Sequence, residues 1–187
     1  MSRCRALAVI PLVALVAALT ACTESARIPP PEPSSATQPL FATDEEALDA
    51  ATAAYEEFLG LSGEILRDGG SDAERIASLV SEEVYRLEAE GFALLADNGW
   101  KAVGESELLG IELQQHLSGP PGVAEVIAYV CVSVANIDIF DGSGAPQSLS
   151  GRETEVSFEI VYASKPDGGL IIDRKTIWPE SVACSQS

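Results

Sequence analysis

Three regimes of hydrophobic and polar patterning follow one another along this chain. Residues 6–21 are almost continuously apolar. From Thr43 the apolar positions Leu48, Ala51, Tyr55, Phe58, Leu59, Ser62, Ile65 and Leu66 recur at three- and four-residue spacing, which puts them on one stripe of a long helix. Thr43-Asp44-Glu45-Glu46 has the capping-box pattern at its start, and Gly69-Gly70 supplies a stop. Ser71-Asp72-Ala73-Glu74 repeats the capping pattern before Ile76, Leu79 and Val80. A third helical segment opens at Ser81, with Val84, Leu87, Gly91, Leu94 and Leu95 expected inward and Asp97-Asn98-Gly99 closing it.

From Trp100 the period shortens to two. Leu109, Ile111 and Leu113 alternate with polar neighbours, residues 123–139 are rich in Val and Ile, and Val156, Phe158, Ile160 and Tyr162 alternate with Glu155, Ser157 and Glu159. Leu170 to Trp178 reads as a last strand. Asp141-Gly142-Ser143-Gly144 and Lys165-Pro166-Asp167-Gly168-Gly169 have turn chemistry. Helices followed by an antiparallel meander predict an α+β domain over 44–187, with a curved sheet wrapped on the long first helix.

The first regime is an address. Arg3 and Arg5 precede the apolar run without an acid, and the run is 16 residues long with Pro11 inside it. That is short of the about 20 apolar residues a transmembrane helix needs, and it fits a removable signal. Leu19-Thr20-Ala21-Cys22 resembles the lipobox of bacterial lipoproteins. The resemblance implies cleavage before Cys22 and lipidation of its thiol, so that 1–21 is a signal peptide and 22–43 a lipidated cysteine with its tether. Pro29-Pro30-Pro31, Pro33 and Pro39, mixed with Ser34, Ser35 and Gln38, offer little to bury and predict an extended linker. The expected location is the extracytoplasmic face of the cell membrane, held by lipid.

Four cysteines then divide by fate. Cys4 leaves with the signal and Cys22 takes lipid, which leaves Cys131 and Cys184 as an even pair in an exported protein. An oxidising compartment makes a disulfide the expectation for them. A metal site or a reactive thiol is the rival, disfavoured because there is no C-x-x-C spacing and a single histidine. Loss of Arg3 and Arg5 would leave 9 basic residues against 29 acidic ones, a formal charge of −20. Such a balance repels nucleic acid and anionic lipid head groups, so membrane contact is expected through the acyl chain and no nucleic-acid partner is expected.

Helices followed by long antiparallel strands, together with the Cys131 strand and the segment from Trp178-Pro179-Glu180 to Cys184, resemble the NTF2-like (SnoaL-like, cystatin-like) cone fold found in small secreted lipoproteins of high-GC Gram-positive bacteria. The resemblance implies a concave mouth lined by the sheet and closed by the first helix. Tyr55, His116, Tyr129 and Asp173 are the polar groups it would place near that mouth. Bland roles compete for each: a rim position for His116, core packing for the two tyrosines, and an outward carboxylate paired with a cation for Asp173.

No motif commits the chain to a reaction. P-loop, G-x-G-x-x-G and H-E-x-x-H patterns are missing from the sequence, and Gly60-Leu61-Ser62-Gly63 only approaches G-x-S-x-G inside a helix. Asp138 to Gly144 fails the spacing of a calcium loop and reads as a hairpin turn. No cofactor or metal is expected and no catalytic residue is assigned. The expected role is a non-catalytic binding or accessory domain of the cell envelope, whose protein partner or ligand the residues do not name. The alternative is a small acid–base enzyme of isomerase or dehydratase type.

Overall fold

Thr43 caps the first helix as its residue pattern predicts. In the computed structural model its hydroxyl accepts a hydrogen bond from the Glu46 amide at 3.1 Å, and Glu46 reaches back to the Ala42 amide at 2.7 Å. The structure describes residues 40–119, 123–147, 151–166, 168–178 and 184. The expected signal peptide, the expected lipidation site at Cys22 and the tether up to residue 39 lie outside these residues.

Helix α1 runs Asp44–Arg67 and buries Ala47, Ala51, Tyr55, Phe58, Ser62 and Ile65 along one stripe. It stops where Gly69 and Gly70 both take positive φ, and the Gly70 amide returns to the Ile65 carbonyl at 2.8 Å. Gly70 is also pressed against the next helix: a Cβ there would collide with the Phe92 carbonyl.

The second capping pattern forms no cap. Asp72 sits in the left-handed region without a side-chain hydrogen bond, and Ala73–Ser78 is a 3₁₀ segment. A six-residue stretch bounded by tight turns has too few helical bonds to become a stable α-helix. Helix α2 spans Glu82–Asn98, capped by the Ser81 hydroxyl on the Val84 amide at 3.3 Å. Its inward side differs from the expected one. Val84 and Phe92 are buried, whereas Leu87 and Leu94 are 49% and 57% exposed and Gly91 also faces solvent. Apolar residues lie on both flanks of this helix, and spacing alone does not choose between them.

Among the described residues seven strands follow: β1 Lys101–Val103, β2 Glu107–Ser118, β3 Ala124–Ser133, β4 Asp138–Phe140, β5 Pro146–Gln147, β6 Glu155–Ser164 and β7 Leu170–Ile177. They form two antiparallel sheets, one in the order β2-β3-β6-β7 and one in the order β1-β4-β5. The Val- and Ile-rich stretch 123–139 is thus two strands in different sheets, broken at 134–137. Asp141 organises the β4–β5 turn expected from its Gly and Ser neighbours. Its Oδ1 accepts from the Ser143 hydroxyl, the Ser143 amide and the Ala145 amide at 2.6, 2.9 and 3.0 Å.

One face of the four-stranded sheet packs on the helices. Val126, Ala128 and Val130 of β3, Ile160 and Tyr162 of β6 and Ile172 of β7 meet Ala51, Tyr55, Phe58 and Ile65 of α1, all at or below 1% exposure. Full burial of each large side chain stabilises by about 1.5–3 kcal/mol before entropy is counted. A second, smaller cluster of Ala102, Ile137 and Ile139 joins the short sheet to Leu66 and Trp100. None of the described helices is long and apolar enough to cross a membrane.

Candidate functional site

Two β-bulges decide which polar side chains reach the helix side of the sheet. Both lie on its edge strands, where an extra residue disturbs only one neighbour. In β2 Leu113 pairs with Ala128 but Gln115 pairs with Ile127, so the extra Gln114 shifts the alternation. His116 then shares the inner face with Val126, and its Nδ1 lies 2.9 Å from Asp44 Oδ1 in the first turn of α1. An upstream bulge at Leu109 acts similarly, so Leu108, Ile111 and Leu113 all pack on the core where strict alternation predicts Leu109.

In β7 Tyr162 pairs with Ile172 and Val161 with Arg174, leaving Asp173 as the inserted residue. Its carbonyl accepts the Ser81 hydroxyl at 2.7 Å, fastening the start of α2 to the sheet edge. No ion pair to the Asp173 carboxylate occurs among the described residues. The same insertion turns Lys175 inward, opposite Ile160. There its Nζ lies 2.7 Å from Glu88 Oε1 of α2, 4.7 Å from the Phe158 ring centroid and 5.0 Å from that of Phe58. The two side chains are 17% and 22% exposed. A carboxylate and two aromatic faces engage this ammonium, which ties α2 to β7. Residue pattern did not single out Lys175, although a charged run, Asp173-Arg174-Lys175, inside an otherwise apolar strand is the signal that could have done so.

Tyr55 is in the core, its ring 5.6 Å from that of Phe58. Burial, and secondly the charge of Glu88, push its hydroxyl well above the ordinary tyrosine value. Burial and the nearby Tyr55 do the same to Tyr162, whose hydroxyl has no hydrogen-bond partner among the described residues. Burial thus favours the protonated form of both phenols. Tyr129 is on the opposite face of the sheet. It stacks on Trp178 at 4.9 Å between centroids with 25° between planes. The four residues expected around one mouth therefore occupy four separate settings: core, helix–sheet rim, outer face and edge bulge. Ser62, at the centre of the G-x-S-x-G near miss, is buried against the core and presents no exposed nucleophile.

Cys131 and Cys184 form a disulfide with their Cα atoms 5.1 Å apart, and the Cys184 sulfur is 3.1 Å from the Ser157 hydroxyl. It closes on the outer face, two residues along β3 from Tyr129. Trp178 is held beside it by the hydrogen bond its backbone N–H donates to the Ser157 carbonyl at 2.8 Å. Of the concavities among the described residues, apart from one of about 850 Å³ along Glu82, Tyr85, Arg86 and Ala89 of α2, two adjoin the sheet. One, about 650 Å³, runs beside Gly60 and Gly63 of α1 and is spanned by Arg67 and Glu105 at 3.7 Å. The other, about 400 Å³, is lined by Glu153, Glu155, Ser157, Ile177, Trp178 and Cys184. No group of three or more His, Cys, Asp or Glu residues able to hold a metal ion occurs among the described residues.

No protein-family model and no curated protein matches the chain. Among solved structures, the intermembrane-space region of the chloroplast protein ARC6 is similar in fold, with a TM-score of 0.50 and 12% identity over 71% of this chain and 97% of that one. At that identity the likeness extends to the α+β architecture and goes no further.

Proposed function

We propose that this chain is an exported lipoprotein, acylated at Cys22, whose NTF2-like domain works at the extracytoplasmic membrane face as a non-catalytic binding or accessory module. The observation that carries this reading is the filled interior between α1 and the sheet. Tyr55, Phe58, Ile65, Val126, Val130, Ile160, Tyr162 and Ile172 occupy the space where an enzyme of this fold class would hold a substrate. An acid–base enzyme needs a proton-transfer pair facing a vacancy. The best-formed candidate, Glu88 and Lys175, faces two phenyl rings instead.

Anchoring and partner are tested separately. Metabolic labelling with an alkynyl fatty acid is expected to mark the wild-type chain, and Cys22→Ala is expected to lose the label and leave the membrane fraction. Unchanged membrane association of that variant would overturn the anchor. For the binding role, cross-linked pull-down of the lipidated chain from envelope fractions is expected to return a reproducible partner. A purified chain that turns over isomerase or dehydratase substrates would replace this reading with the enzymatic one.

A further inference from the structure

The outer face of the β2-β3-β6-β7 sheet carries the Tyr129–Trp178 stack, and several carboxylates lie on the same face. Cross-strand register puts Glu112, Tyr129 and Glu159 in one row on this face, with Thr176 next in line on β7. Glu107 pairs with Ser133 and Ser133 with Glu155 two outer-face rows away, beyond the row of Cys131 and Ser157, and Leu117 and Glu125 lie at the other end. Arg174, opposite Val161, is the cation that the register sets among them. One carboxylate oxygen of Glu112 is buried with no hydrogen-bond partner among the described residues. A buried anionic oxygen left unpaired is costly, and a cation arriving on this face would satisfy it.

The aromatic pair adds the second element of cation recognition. Half-buried Tyr129 is stacked on Trp178, and each ring has carboxylates within its row or its adjoining cleft. The cleft of about 400 Å³ brings Glu153 and Glu155 beside Trp178 and the 69% exposed Ile177. That is a setting for a long basic side chain, whose aliphatic stem covers Ile177 and Trp178 while its head meets the carboxylates. The acids are spread over three strands and do not converge as a metal site would. A single small ion therefore gains little here, while a segment with several cations matches the spacing.

We propose that this outer face docks an extended, arginine-bearing basic segment of a partner protein, with one cation over the Tyr129–Trp178 stack between Glu112 and Glu159 and another in the cleft at Glu155. The inference deepens the binding-module reading by naming the chemistry of its partner. A second copy of this strongly acidic chain is repelled from the same face. The disulfide takes part indirectly. By pinning Cys184 to Cys131 beside Ser157, it closes one wall of the cleft next to Trp178.

The experiment uses the full chain, disulfide intact, in neutral detergent, and a fluorescent peptide of alternating arginine and threonine. Its glutamate–threonine counterpart is the control. Anisotropy should show saturable binding of the basic peptide that weakens as salt rises, and no binding of the acidic one. In a Trp100→Phe background Trp178 is the remaining tryptophan, and its emission should shift on binding. Glu159→Gln and Glu155→Gln should each weaken binding about fivefold, and Tyr129→Leu by a similar factor, while the exposed helix variant Glu57→Gln leaves it unchanged. The glutamine variants alter only surface charge, so they report even if Tyr129→Leu folds poorly. Equal losses for Glu57→Gln and Glu159→Gln would mean undirected charge attraction and overturn the proposal, as would a silent Trp178. Displacement of the peptide by equimolar tetramethylammonium would assign the face to a small cation instead. Self-association blocked by the peptide would assign it to a second copy. Neither of these results touches the Cys22 labelling outcome.

Discussion

The two faces of the β2-β3-β6-β7 sheet are made of alternate residues of the same strands, and their chemistry has little in common. On β3 the inner series is Ala124, Val126, Ala128, Val130 and Val132, all buried against the helices. The outer series is Glu125, Ile127, Tyr129, Cys131 and Ser133, where only Cys131 is fully covered, through its bond to Cys184. On β6 the inner Phe158, Ile160 and Tyr162 oppose the outer Glu155, Ser157 and Glu159. The inner face acquires its order from close packing. The outer face is held by a covalent staple and by the single stack of Tyr129 on Trp178. Stability therefore resides mainly on one side of the sheet.

The largest test breaks the inner face. Phe58→Ala removes a buried ring that also covers the Lys175 ammonium, and chemical denaturation should show a loss of about 3–5 kcal/mol. A loss below 1 kcal/mol would contradict the packed interior. The outer face has a comparable but different weak point. The double variant Cys131→Ser/Cys184→Ser opens a connection between residues 53 apart and should cost about 2–4 kcal/mol. Trp178 emission should shift red in that variant even under conditions where the inner core stays folded. Trp178 unaffected by loss of the bridge would mean that the staple does not hold the stack.

Smaller effects sharpen the contrast. Lys175→Met leaves Glu88 without its partner at a site still in partial contact with solvent, and a cost of about 1 kcal/mol is expected after screening is allowed for. Adding Glu88→Leu should recover most of it, because an apolar pair suits the neighbouring Phe58 and Phe158. A double variant less stable than either single one would show that the ion pair itself stabilises the α2–β7 contact. Tyr162→Phe removes a buried hydroxyl with no partner among the described residues, so its melting temperature should be unchanged or slightly raised. A drop of several degrees would reveal a hidden hydrogen bond.

The smallest effect lies on neither face. The Ser143 hydroxyl, then the Ala145 and Ser143 amides, hold the Asp141 carboxyl below the ordinary aspartate range. A depressed carboxyl contributes stability above its unfolded value and loses it as pH falls through the lowered folded value. Amide shifts of Ser143 and Ala145 should therefore titrate below the usual aspartate midpoint, while both sheet faces stay intact. A midpoint at or above the usual value would argue against the hydrogen-bonded turn.

Much of this architecture is visible in local pattern. The Thr43 cap, the α1 stripe through Tyr55, Phe58 and Ile65, the Gly69-Gly70 stop and the alternation of Phe158, Ile160 and Tyr162 depend on neighbours within a few positions, and all are found as expected. The pairing of Cys131 with Cys184 follows from there being few cysteines to choose among, and it too is found. The 3₁₀ turn at Ala73–Ser78, the outward Leu87 and Leu94, and the setting of every polar candidate depend on distant chain. Gln114 and Asp173 are the clearest instances. Each is inserted against a partner strand, and each reverses the faces of the residues after it, bringing His116 to Asp44 and Lys175 to Glu88. Alternation within one strand cannot foretell such a reversal, because a bulge is a property of the pair and its energy is set by what the turned side chains meet across the core.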